Sequence, residues 1–351
     1  MFMPTRRPPL CIPNMSVNHP PPRHGCIYRS SREGPFLRES DGRVFNAQND
    51  VYYLPADDVE FDRLALQHRI HYHILGSLYP GGDLVDRILA PEWGVEKAVL
   101  DVGCGACHWA VEMALKFPHV HVIGVDLAPR TNIPEQPPNL RLEFDDANLG
   151  FPHYHGCFDV IHCRSIVTVG IHDRDQFFQE MERCLRPGGI IIVIDGEMPT
   201  LNHNRQRIPP APMDGNYPQT RGWMARIMFE ASQDFAARGA SPIFYDIAGV
   251  LFQSLVATGA FFNPVIQLMY LPLGPWPVGN TEAETRWIQQ LGEMMRQNGL
   301  EFTRSLRPTL KHRGFSDEDV DKMLFGAERE MLDLSVWMYT RWVYIYAVKP
   351  R

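Results

Sequence analysis

The chain has 351 residues, 44% of them hydrophobic and 11% aromatic, with a formal charge of −7 at pH 7. That composition belongs to a folded protein rather than a fibrous or disordered one. No apolar run is long enough to cross a bilayer and no signal-peptide pattern opens the sequence, so the expectation is a protein of the cytoplasm. No clustered Lys/Arg run offsets the acidity, which speaks against direct binding of nucleic acid. The seven cysteines are scattered rather than framed, as in a reducing compartment.

Residues 1–45 are rich in proline, including Pro8, Pro9, Pro20, Pro21 and Pro22, and lack a periodic apolar pattern. They are expected to be a disordered tail, with order beginning near Val51. In residues 46–97, Asp57 or Asp58 caps a helix with a stripe of Phe61, Leu64, Leu66, Ile70 and Ile74. A second helix runs over Leu84, Val85 and Ile88, and the pair is expected to cover one face of a sheet and the cofactor site. From 98 to 195 strands and helices alternate. Strands are predicted at Val99–Val102, Val120–Val125, Leu140–Phe144 and Phe158–His162, with helices at Ala106–Lys116 and Asp173–Leu185. Arg186-Pro187-Gly188-Gly189 reads as the turn closing the second of these helices, and the β-branched run Gly189–Ile194 as a strand buried on both faces. Such alternation gives an α/β fold, a doubly wound Rossmann-like sheet with right-handed crossovers.

Regularity ends after Asp195. Residues 196–260 start with a proline-rich stretch to about 221, expected to be a substrate loop, followed by cap helices at 222–238 and 245–259. Residues 261–351 hold strands at Phe262–Tyr270 and Trp342–Val348, separated by helices at 281–298 and 316–333. Two final strands flanking an insertion suit an antiparallel hairpin at the sheet edge.

The chemistry centres on Asp101-Val-Gly103-Cys104-Gly105-Ala-Cys107-His108. A strand turning tightly into a helix is where an α/β sheet holds a nucleotide-like cofactor. Gly103 and Gly105 fill the first two positions of the dinucleotide fingerprint, but His108 stands at the third, which counts against a nicotinamide cofactor. Asp101 at the mouth would repel a pyrophosphate and favour a ligand bearing ammonium and sulfonium groups, which describes S-adenosylmethionine. Asp126, ending the second strand, is positioned to accept from ribose hydroxyls, and Asp146 with Ala147 after the third to meet the adenine edge. Cys104 and Cys107 form a Cys-x-x-Cys, yet no second pair or histidine cluster completes a metal site.

Asp101-Val-Gly103-Cys-Gly105 resembles motif I of the class I S-adenosylmethionine-dependent methyltransferases, with Cys107 in place of the usual third glycine. Tyr53-Leu54-Pro55-Ala-Asp57, Gly124-Val125-Asp126-Leu127-Ala-Pro129, Phe158-Asp159-Val-Ile161-His162-Cys163-Arg164, Gly274-Pro275-Trp276-Pro277 and Tyr346-Ala-Val-Lys349-Pro350 narrow the likeness. In this order, over about residues 50–351, they resemble the fungal LaeA-like (UMTA-type) methyltransferases. The resemblance implies a seven-stranded sheet with a helical cap and a role in fungal secondary metabolism. Cofactor contacts are expected from Asp101, Gly103, Cys104, Gly105, Asp126, Leu127, Asp146, Ala147, Cys163 and Arg164.

Methyl transfer is an in-line displacement in which the protein places the nucleophile about 3 Å from the methyl. His162 and His203 are the weak candidates for a catalytic base; Ser165 and Glu197, after the fourth and fifth strands, also face the expected site. Trp223, Phe252 and Trp276 are candidate walls for an apolar substrate. The preferred reading is O-methylation of a small apolar metabolite. The alternative is a LaeA-like regulator acting through protein partners, with a nuclear location and the proline-rich segment as a docking arm.

Overall fold

The computed structural model describes residues 28–29, 36–214 and 221–351. Most of the proline-rich segment of 1–45 lies outside them. Its last part does not fit the expectation of a tail. Leu37–Ser40 (β2) and Arg43–Asn46 (β3) form a hairpin closed by Asp41 and Gly42, both at positive φ. Asp-Gly is the residue pair that a tight hairpin turn of this hand requires, and the charged residues flanking it masked the strands. Arg43 clamps Asp57 at 2.6 and 2.8 Å, and Asp57 caps helix α1 (Asp58–Leu75) by accepting from Glu60 N–H. The hairpin is thereby fastened to the first helix.

The sheet core is parallel and ordered β6 (Leu140–Phe144), β5 (Val120–Asp126), β4 (Lys97–Val102), β7 (Phe158–Arg164), β8 (Leu185–Gly196). Antiparallel β11 (Met338–Val348) and then β10 (Val265–Pro272) follow on the β8 side. These are the seven expected strands; two-residue strands β1 (Tyr28–Arg29) and β9 (Leu201–Asn202) add to β6 and β11. Chain order reverses between β4 and β7, and ligands of such sheets bind at that switch point, beyond the C-terminal strand ends.

Side chains alternate across the sheet as strand geometry demands. Ala98, Leu100 and Val102 join Ile161 and Cys163 in one core, against helices α4 (Arg174–Cys184) and α6 (Ile247–Ala257). Val99, Val122, Val160 and Ile192 face α2 (Gly82–Ile88) and α3 (His108–Lys116) in a second. Helix α6, expected in the cap, therefore covers the sheet instead. The Arg186–Gly189 segment is not a turn after α4 but a bulge inside β8, where the pairing shifts between Phe158 and Val160.

A third core forms the cap. It joins α1, α5 (Trp223–Ala237), α7 (Glu282–Ser305), α8 (Arg307–His312) and α9 (Asp317–Leu332) through Leu66, Ile70, Met228, Phe235, Met295 and Leu310. Helix α1 thus packs mainly on the insertion between β10 and β11 and reaches the sheet through its C-terminal half, where Ile74 and Leu75 join the α2–α3 core and His71 meets Tyr344. The α1 stripe misled because the buried face of that helix is largely polar, with Glu60, Arg63, Gln67, His68 and His71. Helix α5 begins without a local side-chain cap. The N–H groups of Trp223 and Met224 are accepted by Glu330 of α9, at 2.6 and 3.0 Å.

Candidate cofactor and acceptor site

A cavity of about 180 Å³ opens between the C-terminal ends of β4–β8 and the cap, against the roughly 10–15 Å³ that one water needs. Its sheet end begins at the glycine turn. Gly103 has φ +74 and an added Cβ would lie 2.3 Å from Ile166 Cγ2, so side chains are excluded there by both backbone and space. Gly105 donates its N–H to Asp126 Oδ2 at 2.9 Å, while Oδ1 takes Ala128 N–H. Asp126 therefore fixes the turn and keeps lone pairs for a ligand. Burial raises its pKa, backbone N–H groups of Ala128, Gly105 and Leu127 oppose the rise, and Asp101 adds to it.

Asp146 caps a short 3₁₀ turn through Asn148 N–H and accepts from Asn49 Nδ2 at 2.8 Å. Gln48 donates to the Leu127 carbonyl. The turn after β3 thus braces the acidic end of the cavity, a contribution that sequence reasoning missed because it placed the start of order at Val51. Of the residues expected to meet the cofactor, Gly103, Gly105, Asp126, Leu127, Asp146, Ala147 and Arg164 line the cavity.

Three expected contacts do not. Asp101 is on the Val99 face of β4, under α3, and its Oδ1 meets His162 Nδ1 at 2.7 Å. Asp101 and His162 are register partners on adjacent parallel strands, and Trp109 stacks on the imidazole at 3.9 Å. The pair is a buried support beneath the turn, and His162 cannot act as base at the cavity wall. Cys104 packs its sulfur against Gly124, and Cys163 points into the opposite core, one residue out of phase with Arg164. The other candidate base, His203, is exposed on the far side of the loop against Trp337, at 6.0 Å between ring centres. Among the described residues no histidine lines the cavity.

Glu197 borders the cavity, but its Oε1 accepts from Ile247 N–H at the start of α6 and from Arg341. Its carboxylate serves as a helix cap. The apolar walls come from Met224 and Met228 of α5, Met295 and Phe302 of α7, and Trp342. Trp223, Phe252 and Trp276 do not contribute. Trp223 is in the cap core, and Trp276 stacks on Trp337 at 5.2 Å.

Behind the wall, four histidines cluster. His71 Nδ1 pairs with Tyr344 Oη at 2.8 Å, and the His68 and His108 rings lie 6.0 Å apart. Burial holds the imidazoles of His71, His108 and His162 below the ordinary value, in His162 against the opposing pull of Asp101. No group of acids, histidines and cysteines among the described residues could hold a metal ion. None of the described helices is long and apolar enough to cross a membrane.

Comparison with known proteins agrees with this geometry. The family described as "Methyltransferase domain" matches residues 99–189, from β4 to the bulge of β8. The secondary metabolism regulator laeA of Coprinopsis cinerea is 31% identical over 305 residues, covering 87% of this chain and 72% of that one. Methyltransferase str2 of Strobilurus tenacellus is 25% identical, covering 87% and 98%. Methyltransferase pytC of Aspergillus terreus is 27% identical, covering 85% and 83%. A glycine turn held by an acid, acids at the next two strand ends and this similarity along most of the chain place it in the LaeA-like family of class I, S-adenosylmethionine-dependent methyltransferases.

Proposed function

We propose that the protein methylates a small, largely apolar metabolite in secondary metabolism, with an oxygen as the favoured acceptor atom. One observation carries the reading: a single cavity runs from the acidic strand ends to a methionine-lined cap, the shape that encloses a small molecule beside a cofactor.

The residues present suit the cofactor. Asp126 retains lone pairs for ribose hydroxyls, Asp146 and the Ala147 backbone suit an adenine edge, and the tight approach of Gly103, Gly105 and Leu127 leaves room for the body of the ligand. Arg164 offers positive charge to its amino-acid end. When bound, S-adenosylmethionine supplies an electrophilic methyl on sulfur. The chain's own part is to orient the acceptor with the cap side chains and to exclude water. The Asp101–His162–Trp109 stack keeps the glycine turn rigid from below.

The test is calorimetry with S-adenosylhomocysteine on the wild type and on Asp126→Ala, followed by labelling with methyl-labelled cofactor in extract. Tight binding lost in the variant, with label in the low-mass fraction, is the expected result. Identical behaviour of the two proteins would overturn the reading. Label confined to protein, or stoichiometric partner capture without turnover, would favour a regulator acting through partners. That second reading draws on the regulator name of the Coprinopsis relative and would place the protein in the nucleus rather than the cytoplasm.

A further inference from the structure

No charged residue stands between Asp246 and Glu282, in a chain whose residues are 21% charged. This neutral strip runs through helix α6, Phe262 and strand β10 to the Gly274–Pro277 turn. Burial accounts for part of it. Leu251 and Leu255 of α6 pack against the sheet, and Leu271 and Leu273 lie in the cap core. Burial does not account for the start of β10, where Phe262 is 67% exposed, Val265 48% and Leu268 41%. Gln267 between them is exposed as well.

Strand β10 is also an edge of the sheet. Its inner side pairs with β11 from Val265 to Pro272, and among the described residues no strand pairs with its outer side. The opposite edge differs, since β6 carries β1 there. Proteins ordinarily blunt a free edge with charge, a bulge, a proline or a very short strand. Here the strand has eight uncharged residues in unbroken register with β11. Its prolines, Pro264 and Pro272, stand just before the start and at the last position. Toward Tyr270 the strand comes under Arg205, 4.3 Å from that ring, and then under the cap. The open stretch, Val265 to Tyr270, is therefore centred on Gln267 and Leu268.

Charge and symmetry decide what fits this edge. A different protein that recognises an acidic chain is steered and held in register by opposite charge, and the strip offers none. A second copy carries the same net charge of −7 and can come close only where charge is absent. An antiparallel edge is also complementary to itself. A two-fold axis normal to the sheet sets the strand against its own copy, so each free backbone group meets its equivalent. We infer that β10 pairs with β10 of a second copy, joining two sheets into one and covering Phe262, Val265 and Leu268 at the seam. At about 3.4 Å per residue the strand is roughly 27 Å long. Flanked by the neutral outer side of α6, it spans a patch on the scale of the roughly 800 Å² per partner that a stable interface needs.

The experiment is sedimentation velocity on the full chain over a concentration series. The wild type is expected to run as two copies. Leu268→Lys sets two ammonium groups at the seam and should weaken association at least tenfold, with an unchanged far-ultraviolet circular dichroism spectrum. A two-fold pairing also brings one position of the strand opposite its own copy, with Cβ atoms about 5 Å apart. Gln267→Cys and Leu268→Cys are therefore compared with the wild type on non-reducing gels after mild oxidation, with the exposed Trp93→Cys as control. At least one strand position is expected to link two copies, and the control is not. A monomeric wild type, or a dimer indifferent to Leu268→Lys, would overturn the pairing. Linkage at neither strand position, or equally at the control, would do the same. So would a monomer whose β10 edge is taken up by a different protein.

Discussion

At the sheet end of the cavity Gly105 is held by Asp126, an acid at the end of the very next strand. At the cap end α5 starts under Glu330, which comes from a helix late in the chain. The sheet end is assembled from short-range instructions: a strand, a glycine turn, a helix, another strand with an acid at its tip. The cap is assembled from long-range ones, in which one helix supplies what another lacks. Changes at the sheet end should therefore strike cofactor affinity and stability together, and changes in the cap away from the cavity wall should strike stability alone.

The sharpest break would come from Gly103→Ala. A Cβ against Ile166 at positive φ should cost about 3 kcal/mol and abolish binding of S-adenosylhomocysteine; an unchanged urea midpoint and affinity would refute the steric account. Glu330→Ala strips two backbone N–H groups of their acceptor. It should lower stability by about 2 kcal/mol in urea titrations with affinity within about threefold. A tenfold loss of affinity would show that the two ends are not separable.

Acid should probe the shared wall. His71, His108 and His162 are held below the unfolded value of about 6.5, so the folded state binds fewer protons. Their contribution is complete above that pH and is lost as pH falls through it toward the depressed folded values. Each should add a slope of about 1.4 kcal/mol per pH unit. His71→Leu should remove about one such proton from the pH dependence of the unfolding free energy; an unaltered slope would count against burial of a neutral ring.

Asp101→Asn tests whether the acid before the glycines contacts cofactor or only supports the turn. Support alone predicts a loss of affinity below about fivefold, against more than tenfold for Asp126→Ala; equal losses would restore direct contact. The smallest effect is expected at Cys107, which has φ +63 and is fully buried. Cys107→Gly relieves the backbone and deletes a buried thiol, two terms of opposite sign that should leave stability within about 0.5 kcal/mol in urea titrations.

The same contrast explains what could be read from the amino-acid order. The parallel strands and the acids Asp126 and Asp146 at strand ends were legible because period-two burial and acids at strand ends are local signals, whereas the reversal of order between β4 and β7 is seen only in the folded sheet. Asp101 was placed on the wrong face although its register with His162 follows from strand alternation; the glycine motif drew it toward the ligand. Asn49 and Asn298 carry no local signal at all, and the place of Gln67 before the glycine turn does not show whom it meets. They matter through Asp146, Ser165 and Arg63, partners that only the folded chain brings near.

The α7–α9 insertion leaves the sheet at Pro272 and returns at Tyr339, and those two residues are paired across the antiparallel ladder. Both ends of the excursion meet at one point, and α7 packs along α1 while α9 packs along α5, so it is held against the rest of the cap rather than free to swing as a door. Traffic into the cavity is then a matter of helices sliding over one another by small amounts, and the shape of what can enter is set by methionine side chains, which are supple enough to yield without the backbone moving.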